Sequence, residues 1–461
     1  MNRSVLLIFC FWNILGFGQQ VDGQWAGDLL VQGSKLKLVF NINKSTSGYK
    51  GTMDSPDQGA IAIPITTINV KDSIFSLTID PIYMDYNGLI KKDTIVGMFK
   101  QSGLELPLTL IKQKNKDRIT LKRPQEPIPP FPYLMEDILF KNKVSNITLA
   151  GTLTLPRGKK KFPAVILISG SGPQNRDAEM FGHKPFFVLS DYLTRKGIAV
   201  LRFDDRGIGK SEGIFENAIT SDFANDVRAA MDYLRSRTEI NDNKIGLIGH
   251  SEGGIIAPMI ASENPDVRFI VLLAGTGISG KEILLSQQKM IAQTRGLSEK
   301  VWRGIVEINK KTYQIIEETE DSELLKEKLN QHLANTPNSG ELGKSNHQSL
   351  IKSQITQITT PWFKNFLSYD PKYALQKVIC PVLAINGEKD IQVNSQVNLK
   401  AIGQALKSGG NKDYIIKELS GLNHMFQSCD TCLIDEYSKI EETFSLEAIE
   451  LISDWILKTC R

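Results

Sequence analysis

The sequence predicts an α/β fold: a mostly parallel sheet with helices on both faces, a helical cap inserted into it, and a small all-β domain in front. Three observations predict this. Short alternating strands fill the text up to about Lys112, continuous apolar strands alternate with helical stretches after Tyr133, and a polar helical block at about 280–374 interrupts that alternation.

At about 150 residues per domain, 461 residues correspond to two or three domains. Hydrophobic residues make up 41% and charged residues 23%, which excludes disorder, collagen-like repeats and a polytopic membrane protein. Lys+Arg at 55 against Asp+Glu at 51 leaves a net charge of only +4, and the basic residues are scattered apart from Lys159-Lys160-Lys161. A nucleic-acid binder needs a concentrated basic footprint, so no such partner is expected.

The first residues read as an export signal, 1–19. Asn2 and Arg3 give a charged start, Val5 to Phe17 is almost wholly apolar, and Gly16 and Gly18 suit cleavage near Gln19. The apolar run falls short of the roughly 20 residues that span a bilayer. Cys10 lacks the preceding small residues of a lipoprotein site. The mature protein is therefore expected to be exported, periplasmic or secreted, with no membrane span. Removing the signal leaves Cys380, Cys429, Cys432 and Cys460, an even number suited to an oxidising compartment. Cys429 and Cys432 have the spacing of a zinc half-site, but no second pair or neighbouring His completes it. No metal is expected; a structural disulfide and plain buried thiols both remain open.

From 20 to 123 the text is all-β. Lys35 to Phe40, Ala60 to Ile65 and Ser73 to Ile79 alternate, Thr46-Ser47-Gly48 and Ser55-Pro56-Asp57 punctuate, and seven or so strands suggest a small barrel or sandwich. Residues 124–132, Pro-Gln-Glu-Pro-Ile-Pro-Pro-Phe-Pro, predict an extended linker. The α/β domain, 133–461, has buried-strand runs at Phe162 to Ile168, Ile198 to Phe203, Ile245 to Ile248, Phe269 to Leu273 and Pro381 to Ile385. The polar block between roughly Gly280 and Ala374 reads as its cap, because a structureless loop of that length is improbable.

The chemistry gathers around Ser251. Gly249-His250-Ser251-Glu252-Gly253 joins a buried strand to a helical stretch, a turn that exposes the hydroxyl and needs glycine where the backbones pass. The amide of Glu252 then faces the place where an oxyanion forms. A serine hydroxyl is inert without a base. Of the five histidines, His250 is expected to point to the far side of its own turn, His332 and His347 fall in the polar cap, and His183 sits in a loop as a possible pocket residue. His424 follows the strand Tyr414 to Leu419, where catalytic groups of parallel sheets collect, and is the expected base. Its carboxylate partner is expected to be Asp390, past the turn after Val382 to Ile385, with Glu388 as competitor. The order Ser251, Asp390, His424 differs from the chymotrypsin-like and subtilisin-like orders.

On these residues, with Asp205-Arg206-Gly207-Ile208-Gly209-Lys210-Ser211 and Ile168-Ser169-Gly170-Ser171-Gly172-Pro173, the segment from about Tyr133 resembles an α/β-hydrolase. More narrowly, the arrangement resembles bacterial secreted carboxylesterases with an N-terminal β-domain, some of whose relatives are filed with serine aminopeptidases. The resemblance implies a second oxyanion donor at the amide of Ser171, with Gly172 as alternative. It also implies hydrolysis of a small-molecule ester, of short acyl chains, without cofactor. Trp362, Phe363, Phe366 and Tyr369 would either line the substrate pocket or pack cap helices together. The competing readings are an exported aminopeptidase-like enzyme, with Glu317, Glu318 and Glu320 as candidate amine ligands, an acyl thioesterase, and a binding protein with a degenerate core.

Overall fold

The computed structural model describes residues 21–31, 34–46, 48–58, 60–101, 104–114, 122–158, 161–336 and 344–461. The export segment 1–19 with Cys10, and Lys159 and Lys160, lie outside the described residues. Two compact units are present, one ending at Arg118 and one carrying the rest of the chain together with Pro56–Ala60.

Among the described residues the first unit is one antiparallel sheet of nine strands. Its middle is built by Gly23–Val31 between Ser34–Ser45 and Leu104–Lys112. The sheet curls: its two edge strands, Ala60–Pro64 and Thr67–Lys71, are joined by Ile65 and Thr66, whose amides bond the carbonyls of Gly51 at 3.0 Å and Thr78 at 2.8 Å. Alternation drives the folding: in Ile74–Ile79, Phe75, Leu77 and Ile79 turn inward to Trp25, Phe40 and Tyr86. The Tyr86 hydroxyl donates to the carbonyls of Ile95 and Leu108, both at 3.0 Å, so its burial leaves no unpaired polar group. Nine strands exceed the seven or so expected. The hairpin between Met84–Lys91 and Thr94–Gln101 turns over Lys92-Asp93, with Lys92 at φ 54° and no glycine or asparagine to mark it.

The second unit holds an eight-stranded sheet. Its spatial order is Leu134–Asn142, Ile147–Leu155, Ala199–Phe203, Phe162–Ile168, Ile240–His250, Ile270–Leu273, Val382–Gly387 and Tyr414–Leu419. The first two pairings are antiparallel and the others parallel. The central strands are apolar on both faces because helices cover both. Thr220–Arg235, Gly253–Ala261 and Ser395–Ser408 pack one face; Pro185–Arg195 and Leu446–Thr459 pack the other. This is the α/β-hydrolase architecture. Parallel strands put their following loops along one edge, which is how residues distant in sequence come to share a site.

Between Ile270–Leu273 and Val382–Gly387 run the helices Gly280–Thr294, Glu299–Glu318, Ser322–Ala334, Lys344–Ile358, Pro361–Ser368 and Lys372–Leu375. Local chemistry starts them. Ser279 and Glu282 form a capping box, Asp321 caps Leu324, and Thr360 caps Phe363 ahead of Pro361. Tyr313, Leu325, Leu329, Leu333, Ile351 and Ile355 give the block an apolar core of its own. The proline-rich stretch does not stand free: Gln125 accepts from the amides of Thr443 and Phe444 at 2.6 and 3.0 Å. Arg123 just ahead of it donates to the carbonyls of Phe181, Gly182, Ser438 and Ile440. No helix among the described residues is long and apolar enough to cross a membrane.

Candidate active site

Ser251 stands at the end of the strand Ile240–His250 with φ 54°, a left-handed conformation that a serine adopts only under constraint. Its amide is held by the carbonyl of Leu273 at 2.9 Å and its carbonyl by the amide of Gly254 at 2.9 Å. A Cβ on Gly249 would meet the carbonyl of Gly253, and one on Gly253 the carbonyl of Ile168, so both flanking glycines are required sterically. A Cβ on Gly170 would lie 3.1 Å from the Cβ of Ser251, which places the loop after Phe162–Ile168 directly against the serine.

Among the described residues, the amides of Ser171, Gly172 and Glu252 have no hydrogen-bond partner. Asp205 fastens the loop that carries the first two: its carboxylate accepts from Ser169 Oγ at 2.8 Å and the Gln174 amide at 2.9 Å. Burial pushes the Asp205 carboxyl up to about 7, against these two bonds, with the nearby Glu252 and Asp226 charges adding to the rise. Arg206 pins the neighbouring loop through Asp226 at 2.8 and 2.9 Å and the Asp222 carbonyl at 2.7 Å.

Asp390, 0% exposed, accepts a hydrogen bond from His424 Nδ1 at 2.7 Å through Oδ2. Its other oxygen accepts the amides of Gln392 and Val393 at 2.8 and 2.9 Å, which fix the carboxylate in place. The His424 loop is rigid for local reasons: Asn423 Oδ1 accepts the amides of Met425 and Gln427, and Leu422 bridges Ser428. Glu388, the competing acid, instead accepts from Ser420 Oγ at 2.6 Å and the Gly421 amide at 3.0 Å, which hold its carboxyl below the usual range.

His250 corrects one expectation. Its ring is tilted against the ring of His424, 4.8 Å between centroids, and its Nε2–H donates to the His424 carbonyl at 3.0 Å. Desolvation first, and the neighbouring His424 second, push its imidazole down to about 4, so it is neutral at pH 7. His183 is a buried strut, bonded to Thr443 Oγ1 and the Tyr437 carbonyl, and burial pushes it down to about 4. His332 bonds the Ile308 carbonyl on the cap, and His347 falls on the helix Lys344–Ile358.

Glu252 is 4% exposed, and one oxygen, Oε1, accepts from both Thr220 Oγ1 at 2.7 Å and Trp362 Nε1 at 2.8 Å. Burial raises its carboxyl and the two bonds oppose the rise. Trp362 stacks on Phe366, 5.0 Å between centroids, and Phe366 packs against Ile255, Ile283 and Val393. A small cavity opens at Gly170, Gly172 and Glu252 and is walled by Phe203, Phe215 and Phe223. Cys429 and Cys432 form a disulfide beside the His424 loop, and Cys380 and Cys460 are free. No cluster of three or more metal-ligating side chains occurs among the described residues.

The family model described as serine aminopeptidase, S33, matches residues 185–428, a stretch that includes Ser251, Asp390 and His424. The chain belongs to this family of α/β-hydrolases. The chain is 25% identical over 283 residues to esterase EstD of Thermotoga maritima, covering 61% of this chain and 58% of that protein. It thus spans a little over half the length of that relative. It is 24% identical over 323 residues to an uncharacterized 31.7 kDa protein of Escherichia coli, covering 67% of this chain and 96% of that one. Among solved structures, a Pyrococcus furiosus esterase superposes with a TM-score of 0.45 at 14% identity, covering 75% of this chain and 100% of the esterase.

Two partners of the site were not legible in the sequence. The grip of His250 on His424 and that of Trp362 on Glu252 join residues 174 and 110 positions apart.

Proposed function

We propose that this hydrolase is an exported serine carboxylesterase that cleaves short-chain acyl esters through Ser251, His424 and Asp390. One observation carries the reading: the 2.7 Å bond from His424 Nδ1 to buried Asp390 leaves Nε2 as the basic nitrogen, on an imidazole whose backbone is tied to the residue preceding Ser251. Nε2 takes the Ser251 proton as Oγ attacks the ester carbonyl. The amides of Glu252 and Ser171 receive the oxyanion, each contributing about 3–4 kcal/mol to the transition state. The alcohol leaves with the proton from Nε2. A water deprotonated by the same nitrogen then cleaves the acyl-enzyme, releasing the acid and restoring Ser251. Every step uses only the chain's own groups, the ester and water.

Phe203, Phe215 and Phe223 wall the small cavity at Gly170, Gly172 and Glu252, which supports a preference for short acyl chains. The aminopeptidase reading finds less support. Glu317 pairs with Lys281 at 2.6 Å and Glu318 accepts from Gln314 at 2.6 Å, while Glu320 is exposed. The Cys429–Cys432 disulfide supports export to an oxidising compartment.

A panel of p-nitrophenyl acetate, butyrate and octanoate, run beside aminoacyl anilides and acyl thioesters, tests the proposal. Turnover highest on acetate or butyrate is expected. Turnover of the anilides alone would establish a peptidase, and preference for thioesters a thioesterase. A Ser251 that takes no fluorophosphonate label would leave a binding protein.

A further inference from the structure

The nucleophile turn needs only the backbone of Glu252: helical angles, φ −59° and ψ −33°, and a free amide. Its side chain is therefore available for another task, and the residue type is a costly one to bury without a partner. The carboxyl nevertheless sits 4% exposed, and both of its recorded bonds converge on one oxygen from two separate elements. Thr220 Oγ1 comes from the first residue of the helix Thr220–Arg235, and Trp362 Nε1 from the cap helix Pro361–Ser368. The indole is itself held, stacked on Phe366 at an interplanar angle of 18°, and Phe366 is anchored in a cluster with Ile255 of the helix that follows Ser251. The cap thus meets the catalytic core at the residue whose amide faces the oxyanion.

We propose that Trp362 is a positioning residue: by holding the Glu252 carboxyl, its indole N–H couples the seating of the cap helix to the aim of the amide that follows Ser251. The inference rests on the reading of Ser251 and Glu252 given under Proposed function. A cap that lifts must break the Trp362–Glu252 bond, and the turn then loses one of the two restraints on that side chain. A seated cap restores it, so oxyanion binding is strongest when the substrate is enclosed. The role differs from that of a substrate wall, which would act on ester affinity through the ring alone.

The test uses the full chain with p-nitrophenyl butyrate and a trifluoromethyl ketone of matching acyl length as the oxyanion mimic. Trp362→Phe keeps the stacked ring and removes the donor. The expected result is a roughly tenfold fall in kcat, the scale of one hydrogen bond to a charged or partly charged group, with KM within about twofold of the parent. The Ki of the ketone should rise by about the factor by which kcat/KM falls, a shift that a smaller folded fraction cannot produce. Thr220→Val removes the other bond without touching the cap and should give the same split, with Thr220→Ser restoring the parent values. If Trp362→Phe does not fold, the Thr220 pair carries the test alone, and parent-like constants for Thr220→Val overturn the proposal. A rise in KM at unchanged kcat, or an unchanged Ki, overturns it as well. A wild-type protein that takes no fluorophosphonate label overturns the esterase reading and this inference together; a labelled wild type whose variants match it overturns this inference alone.

Discussion

His250 donates its Nε2–H to the main-chain carbonyl of His424 at 3.0 Å, so the residue directly before the proposed nucleophile grips the backbone of the proposed base. The bond specifies the tautomer: with Nε2 protonated and the imidazole held neutral by burial, Nδ1 carries the lone pair. Replacing His250 by Ala removes the grip and leaves a buried carbonyl unpaired, at a cost of about 1–3 kcal/mol. Thermal unfolding should register that loss, and kcat should fall on the order of tenfold while Ser251 still takes a fluorophosphonate label.

Asp390 and Glu388 separate cleanly. Asp390→Asn should lower kcat on the order of 10⁴-fold, because an amide opposite Nδ1 favours the wrong tautomer. Glu388→Gln should leave kcat within a few-fold, since that carboxylate serves Ser420 and Gly421. Ser251→Ala and His424→Ala should each remove nearly all turnover with the circular dichroism spectrum unchanged. Steady-state kinetics on p-nitrophenyl butyrate decides the assignment, and a damaging Glu388→Gln beside a mild Asp390→Asn would reverse it.

The buried carboxyl of Asp205 makes stability depend on pH in a stated direction. Its pKa is raised in the folded protein to about 7 from an ordinary value near 4. Below the unfolded value both states are protonated and the contribution is fully present. Between about 4 and 7 the folded state binds the extra proton, so stability falls as pH rises, and above about 7 the loss is complete. Asp205→Asn has no proton to lose. Its melting temperature relative to the parent should therefore climb from pH 4 to pH 8, and a flat difference across that range would count against a protonated Asp205.

The rings of Phe215 and Phe223 lie 5.4 Å apart and help close the cavity at Gly170 and Gly172. Phe223→Ala should open it, raising kcat/KM for the octanoate relative to the acetate by about tenfold, the worth of a few methylenes admitted to an apolar pocket. An unchanged chain-length profile would place the acyl group elsewhere.

What was readable in the sequence was what local rules encode. The Gly249 to Gly253 turn, the apolar strands and the loops beyond their carboxyl ends each announce themselves within about ten residues, which is why Ser251, Asp390 and His424 could be named as candidates and the Asp390–His424 pairing expected. The cap was visible for the same reason, through helical spacing and starts such as Ser279 and Thr360. What stayed hidden depends on how distant segments meet. The direction of the His250 ring, the hold of Trp362 on Glu252 and the buried bracing by His183 are set by packing between elements, and no neighbour in sequence signals them. The expected seven or so strands fell short of the nine among the described residues, and one hairpin turns at Lys92 with neither Gly nor Asn to signal it.

The cap helices enclose their own apolar cluster, from Tyr313 through Leu329 to Ile355, separate from the clusters that clothe the sheet. A body with its own interior can accumulate changes at its outward positions without disturbing the strands beneath. For the proposed esterase, new acyl preferences are then reachable by mutation in one insertion, at positions other than Trp362.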